Sequence, residues 1–363
     1  MMKKILYLMS MDWNWIKQRP QFIAEELMKQ ADVLVVTQYR YKRKGYQSRN
    51  LNKNVYAMKV IPSIDRFGYI RGINVLLKKV IVNRLIRVFQ PDCIYLTDPE
   101  EIEWIPRKYK GDIIYDCMDN HIDLALKKFR RKVCIRCEKK LAERAGYIIY
   151  SSEYLKKLFN SRYILNNRIN EKIIRNGYDG LEITNLEEHR NKIFTICYVG
   201  TISYWFDFNI IIHSLEYFDN IKYLLVGPLE REITIPQHDR IEYIGTVEHD
   251  QIYSKTKECD CYIMPFVLNE AIKAVDPVKM YEYINFGKNI ISVKYDEIKR
   301  YENFAYLYCD EEEYIDAVKT LLADNTLKYT CRMRKELLSD STWASRAQVI
   351  IQIMEGTNII DGS

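Results

Sequence analysis

Lys279 and Glu282 stand three residues apart in the run Asp276-Pro277-Val278-Lys279-Met280-Tyr281-Glu282-Tyr283. On a helix that spacing puts an ammonium and a carboxylate on one face. Pro277 suits the start of such a helix, because a first-turn residue needs no N–H. Unpaired amides at a helix start, with a lysine beside them, can hold an anion. A solvated i,i+3 ion pair is the alternative reading of the same two residues. The apolar run from Cys259 to Met264 reads as a buried strand ending at Pro265, and a polar loop carrying Glu270 follows. The helix stops at Gly287, and Asn289-Ile290-Ile291-Ser292-Val293 reads as the next buried strand. Strand, loop, helix start and strand are the parts of an open α/β sheet that bind anions.

The elements that must carry these residues alternate along the whole chain. In the first half, apolar runs at 4–9, 32–36, 92–97, 112–116 and 146–151 are separated by amphipathic stretches at 14–30, 69–89 and 124–144. In the second half, runs at 193–199, 221–227, 241–244, 259–264, 289–293 and 304–308 alternate with helical patterns at 205–217, 249–257, 277–286, 311–323 and 326–338. Short apolar runs between helices predict parallel sheets covered on both faces. The fold class is therefore α/β with two Rossmann-like domains, 1–177 and 178–341, divided in the polar, turn-rich segment 176–192. A last helix from Thr342 to Met354 is expected to clasp the two, with 342–363 as crossover helix and tail.

A chain of 363 residues, 48% hydrophobic and 29% charged, is long enough for two folded domains. No apolar run reaches the ~18–20 residues of a spanning helix, and the apolar start is too short for a signal peptide. Nine cysteines, several within strand-like runs, predict reduced buried thiols and a cytoplasmic address. Cys134-Ile135-Arg136-Cys137 lacks a second pair, which favours helix packing over zinc. Charge is uneven. Residues 1–178 hold 36 Lys and Arg against 18 Asp and Glu, a net +18, and the remainder holds 19 against 31, a net −12. The first half is thus expected to face an anionic surface.

Some classes are disfavoured. Residues 9–15 contain no glycine, so the first strand lacks the G-x-G-x-x-G of a dinucleotide site, and no P-loop pattern occurs. Neither half sets Ser or Cys in a nucleophile elbow. No D-x-D signature implies a divalent metal. No RNA motif accompanies the basic residues, so nucleic acid is not an expected partner.

The chain resembles the group 1 (family 4) glycosyltransferases of the GT-B fold, especially those that build bacterial surface polysaccharides. Four segments carry the resemblance: Asp12-Trp13-Asn14-Trp15 with Gln18-Arg19-Pro20-Gln21; Asn176-Gly177-Tyr178-Asp179; Tyr198-Val199-Gly200-Thr201 with Asp207; and Asp276 to Tyr283 with Gly287-Lys288. It is patchy in the first half and good over about 173–293. It implies two lobes facing across a cleft, with the acceptor on the first and a nucleotide-sugar donor on the second, and retention at the anomeric carbon. The family has two glutamates separated by seven residues, the second contacting the donor's ribose. Glu282 matches that second position. Ala274 stands where the first belongs, and Glu270 is the expected replacement. Relatives place Arg and Lys after the first nucleotide-domain strand, but 201–209 holds no basic residue.

Departure of a diphosphate requires positive charge or amides where negative charge develops. Gly200, Thr201, Asp276, Pro277, Val278 and Lys279 are the donor-binding candidates for this, with Glu270 and Glu282 on the sugar and ribose. For Gly200 the alternative is close packing of a tight turn. Asp12, Asp119 and His121 are the catalytic candidates, able to orient or deprotonate an acceptor hydroxyl. Loop capping by Asp119 and a surface His121 are the alternatives. Trp15 and Arg19 are the acceptor-binding candidates, although Arg19 could instead pair with Glu25 or Glu26. No cofactor or metal is expected. Basic residues among the apolar ones of 69–89 (Lys78, Lys79, Arg84, Arg87), with Lys127, Lys128, Arg130, Arg131 and Lys132, suggest an interface with anionic lipid. The expected function is transfer of a sugar from a nucleotide donor, expected to be UDP-linked, to a glycan or lipid-linked glycan. The expected location is peripheral, on the inner membrane face. A non-catalytic partner of another transferase and a nucleotide-sugar epimerase are the alternatives.

Overall fold

The computed structural model describes residues 2–14, 17–39, 54–59, 68–125, 127–179, 182–183 and 192–356. It divides into two compact units, Met1–Gly177 with Trp343–Ser363, and Tyr178–Thr342.

In the first unit the chain runs β1 (Lys4–Leu8), α1 (Arg19–Met28), β2 (Asp32–Tyr39), β3 (Val55–Lys59), α2 (Gly68–Phe89), β4 (Cys93–Leu96), β5 (Asp112–Cys117), α3 (Lys128–Arg144), β6 (Tyr147–Tyr150), α4 (Glu153–Arg162) and β7 (Asn170–Ile173). The strands form one parallel sheet in the order β3-β2-β1-β4-β5-β6-β7. β1 and β4 are buried on both faces, as an apolar central strand under two helical layers must be. From β1 the chain winds outward to β3, then returns to β4 and winds the other way. The chain therefore leaves the adjacent β1 and β4 in opposite directions at their carboxyl ends, where an open α/β sheet makes its binding crevice.

The second unit repeats the plan with β8 (Phe194–Val199), α5 (Phe208–Tyr217), β9 (Ile221–Val226), β10 (Ile241–Tyr243), α6 (Ile252–Thr256), β11 (Cys261–Met264), α7 (Val278–Asn285), β12 (Asn289–Val293), β13 (Tyr306–Tyr308), α8 (Glu311–Ala323) and α9 (Cys331–Ser339). Its parallel order is β10-β9-β8-β11-β12-β13, with the winding reversing between β8 and β11. The final helix α10 (Trp343–Met354) belongs to the first unit. There Trp343 stacks on Phe22 of α1 with ring centroids 5.1 Å apart, and Arg346 donates to the Asn176 carbonyl at 3.1 Å.

The structure corrects several expectations. α1 begins at Arg19 rather than 14, and α3 at Lys128 rather than 124, because Asp119–Leu124 is spent on turns. β3, α4 and β7 were not expected from the sequence. β7 reads Asn-Glu-Lys-Ile at the edge of its sheet, where charge blunts pairing with other chains and hides the strand pattern. α4 is capped by Ser152, whose Oγ accepts from the Leu155 amide at 3.2 Å.

Candidate functional site

The reversal point of the second unit carries Gly200. It follows β8 with φ +149°, and Gly227 follows β9 with φ +132°. Both values favour glycine, and the contacts give a second reason. A Cβ on Gly227 would lie 2.2 Å from the Gly200 carbonyl oxygen. A Cβ on Gly200 would lie 2.2 Å from Cε and 2.8 Å from Nζ of Lys279. The two glycines thus let adjacent strand ends approach each other and let the Lys279 side chain lie across Gly200. The Thr201 carbonyl accepts from the Tyr198 hydroxyl at 2.9 Å, which fixes the turn.

α7 is tied to this place by Tyr283, a residue that sequence reasoning passed over. The Val199 amide donates to the Tyr283 hydroxyl at 2.9 Å, and that hydroxyl reaches the Val199 carbonyl at 3.2 Å. The Tyr283 ring stacks on Tyr262 of β11 at 4.3 Å. Lys279 and Glu282 therefore come to the end of β8 as parts of one anchored helix. Pro277 is the N-cap residue, one position before the expected first turn, and the amides of Val278 and Lys279 open the helix. Lys279 and Glu282 do not pair with each other. Among the described residues no carboxylate lies within ion-pair distance of Lys279, and Glu282 is met instead by His249, whose Nε2 is 3.3 Å from Glu282 Oε1.

Two of the expected donor ligands are engaged elsewhere. Asp276 has a fully buried side chain and is bound by Arg300. Arg300 also donates to the Tyr281 hydroxyl at 2.8 Å and lies over the Tyr301 ring at 4.3 Å. Asp276 thus secures the approach to α7 rather than facing a ligand. Glu270 is exposed and pairs with Lys273 at 2.9 Å, while Asn269 Oδ1 shapes its turn by accepting from Ala271 and Ile272.

In the first unit the reversal point holds a cavity of about 320 Å³ lined by Asp12, Thr97, Asp98, Asp119, His121 and Arg130, among others. These residues follow β1, β4 and β5 or open α3, so the topology converges three of the sequence candidates: Asp12, Asp119 and His121. The Met11 carbonyl accepts from Thr37 of β2, and Asp12 Oδ1 accepts from the Asn14 amide at 3.1 Å. Glu101 lies fully buried beneath, accepting from the Thr97 and Asp98 amides at 2.8 and 3.1 Å. The Asp119–His121 turn is held by Arg162 of α4. Arg162 donates to Asn120 Oδ1 at 3.2 Å and to Asp123 at 2.9 Å, a prop no sequence pattern announced. Burial pushes the Asp119 carboxyl up from its ordinary value; the nearby His121 and Arg19 oppose this, and Asp116 and Asp98 reinforce it. His121 Nε2 is buried and has no hydrogen-bond partner among the described residues.

Arg19 is corrected on both readings. It is buried and holds Asp116 bidentately, Nε to Oδ2 and Nη2 to Oδ1, each at 2.9 Å. Tyr95 donates to the same carboxylate at 2.8 Å, and Arg19 also reaches the Arg175 carbonyl and Asn176 Oδ1. It neither meets Glu25 or Glu26 nor faces outward to an acceptor. Trp15 lies outside the described residues. Cys134 and Cys137 are buried in α3 with thiols pushed up to about 12 by burial, and no cluster of three or more metal-ligating side chains occurs among the described residues. Among those residues, too, no helix is long and apolar enough to cross a membrane.

Two reversal points, one built around a lysine over glycine and one around carboxylates and an imidazole, invite comparison with known proteins. No family model matches the chain. TuaH of Bacillus subtilis (strain 168), whose name assigns it to teichuronic acid biosynthesis as a glycosyltransferase, is 23% identical over 74% of this chain and 72% of its own. Sucrose-phosphate synthase from Thermosynechococcus elongatus superposes with a TM-score of 0.73 at 12% identity, over 98% of each chain. Anabaena HepE in complex with UDP-glucose superposes with a TM-score of 0.62 at 15% identity, over 98% of this chain and 97% of that one. The chain shares the GT-B fold of these solved structures.

Proposed function

We propose that the protein transfers a sugar from a nucleoside-diphosphate donor, UDP-linked, to a hydroxyl of a glycan carried on lipid, without a metal and with retention at the anomeric carbon. The observation that carries this reading is the Lys279 ammonium lying across Gly200 at the open N-terminus of α7. A cation with no carboxylate within ion-pair distance among the described residues, next to two helix amides, suits a diphosphate. Thr201 and Val278 flank that seat, and Glu282 accepts from the ribose hydroxyls. On transfer, the bond between the anomeric carbon and the phosphate oxygen breaks and the diphosphate leaves with the electron pair. The acceptor oxygen bonds to that carbon on the face the diphosphate leaves, which keeps the configuration, and gives its proton to a general base. Asp119, kept basic by burial, fits that base, with His121 and Asp12 orienting the hydroxyl.

Membrane apposition fits the outer face of α2, where Ile73, Leu76, Leu77, Val80 and Val88 are exposed beside Arg84 and Arg87. Lys78 drops out of that face, since its ammonium lies over the Trp104 ring at 4.5 Å.

Calorimetry with UDP-glucose tests the donor seat. Lys279→Ala should weaken binding roughly tenfold to a hundredfold, the worth of about 1.5–3 kcal/mol for a hydrogen bond to a charged group. Gly200→Ala should weaken it as well, by displacing the lysine. Unchanged affinity in both variants sinks the assignment. The exposed Glu270–Lys273 pair, in place of a first donor glutamate, favours one second reading: a non-catalytic partner protein. Tight donor binding with sugar transfer excludes it.

A further inference from the structure

His249 has no part in the reading above, yet its ring sits beside the carboxylate assigned to the ribose. Its Nε2 is 3.3 Å from Glu282 Oε1, and its Nδ1 is 3.8 Å from Asp179 Oδ2. The residue opens a short 3-10 turn, His249–Gln251, between β10 and α6. Glu282 reaches it from α7 across 33 positions of sequence, and Asp179 comes from the start of the unit. The imidazole therefore bridges two acids drawn from separate parts of the fold, and the hydrogen bond runs to the glutamate. Lys279 on α7 is the cation facing it, and Glu248 and Asp250 are its chain neighbours.

A diphosphate seat needs net positive charge, and two carboxylates, Glu282 and Asp179, flank the His249 ring near Lys279. Resting on the donor reading, we propose that His249 is the charge-balancing and positioning residue of the seat: as an imidazolium between Glu282 and Asp179 it cancels their repulsion of the phosphates and holds the Glu282 carboxylate in place for the ribose. Three observations support this. The geometry sets an acid beside each ring nitrogen, hydrogen-bonded at Nε2 and within ion-pair distance at Nδ1. The ring is largely exposed, so it exchanges protons freely. The hydrogen bond to Glu282 leads the causes that raise the His249 pKa above its ordinary 6.5; burial opposes it, the charges of Glu282 and Asp179 add to it, and Lys279 subtracts.

The sign follows from that direction. Stabilisation from the charged ring is fully present below about 6.5, the unperturbed histidine value. It is lost as pH rises through the higher folded value. Affinity for an anionic donor should fall over the same window.

The test measures UDP-glucose affinity from pH 5.5 to 8.5 in the full chain and in His249→Gln, which keeps a hydrogen-bonding side chain but no titratable charge. UDP-glucose is the right probe because its phosphates are both esterified and do not gain the proton that a terminal phosphate takes up near pH 6. The wild type should lose roughly three- to tenfold in affinity across the window, and H249Q should start weaker and vary little. The His249 ring, followed by NMR, should titrate above 6.5 and fall back toward it in Glu282→Gln. Identical pH profiles in wild type and H249Q overturn the inference while leaving the donor seat standing. No UDP-glucose binding by the wild type at any pH sinks the donor reading and this inference together. A His249 titration unmoved by E282Q removes the bridge itself.

Discussion

Arg19 and Lys279 both stand at the start of a helix that follows the end of a central strand, and the protein treats them in opposite ways. Arg19 is sealed in its unit with its guanidinium spent on Asp116, Asn176 and a backbone carbonyl. Lys279 is half-buried, meets no carboxylate among the described residues, and rests on a glycine with no side chain to crowd it. Residue type and helix position are the same in kind. What separates a ligand-binding cation from a structural one is whether the fold has already supplied its counter-charge. The first unit spends Arg19 on a buried carboxylate, and the second leaves Lys279 without one within ion-pair distance among the described residues.

Breaking the buried pair should produce the largest effect. Arg19→Ala leaves Asp116 without its bidentate partner in a site where both side chains are almost wholly enclosed. Removing one member of such a pair costs about 3–5 kcal/mol, so the urea midpoint should drop severely or folding should fail. Arg19→Met with Asp116→Leu should recover part of the loss, since an apolar pair of like volume costs no desolvation. Lys279→Ala, by contrast, should shift the urea midpoint little. Equal destabilisation by Arg19→Ala and Lys279→Ala removes the distinction.

That contrast also marks how far the sequence could be read. Central strands such as β1 and β8 were legible, because burial on both faces leaves an unbroken apolar run. The helix carrying Lys279 and Glu282 was legible because a proline, an amphipathic turn and a glycine bound it. The convergence of Asp12, Asp119 and His121 on one cavity follows from their places after parallel strands. Arg19 was misjudged because its partner lies 97 residues away, beyond any spacing rule. The ring of His249 reaches Glu282, and the stem of Lys78 turns toward Trp104, for the same reason: tertiary contacts choose partners that local sequence does not contain. β7 failed differently, since its charged edge erases the pattern that would reveal it.

Asp119 sharpens the comparison from the other side, as an acid whose burial is only partly compensated by His121 and Arg19. A carboxyl raised above its unfolded value keeps its favourable neutral form below about 3.9, the unfolded aspartate value, and loses that contribution as pH rises through the folded value. At pH 7 the charged form is therefore a cost to the fold, so Asp119→Asn should raise the melting temperature there by a few degrees, worth about 1 kcal/mol. The gain should shrink at pH 4. Transfer activity should fall steeply in the same variant, the usual exchange of stability for a working group. A variant that is less stable at pH 7 would show that the carboxylate is paired rather than stranded.

The smallest expected effect on the fold comes from α2, whose outward residues touch least. Leu76 is 62% exposed and Val80 is 61% exposed, one turn apart. Replacing both with Asn should change stability by no more than about 0.5 kcal/mol, as surface substitutions do. If the face meets a bilayer, the same change removes buried apolar area worth about 25 cal/mol per Å². Flotation with vesicles of anionic lipid should then fall, and residual binding through Arg84 and Arg87 should vanish in high salt. Flotation by the wild type that survives both the double substitution and high salt would place the membrane contact elsewhere. Wild-type flotation in neither salt condition would remove it altogether. A surface can be uncoupled from the fold in this way because its side chains answer to a partner, as Lys279 does and Arg19 does not.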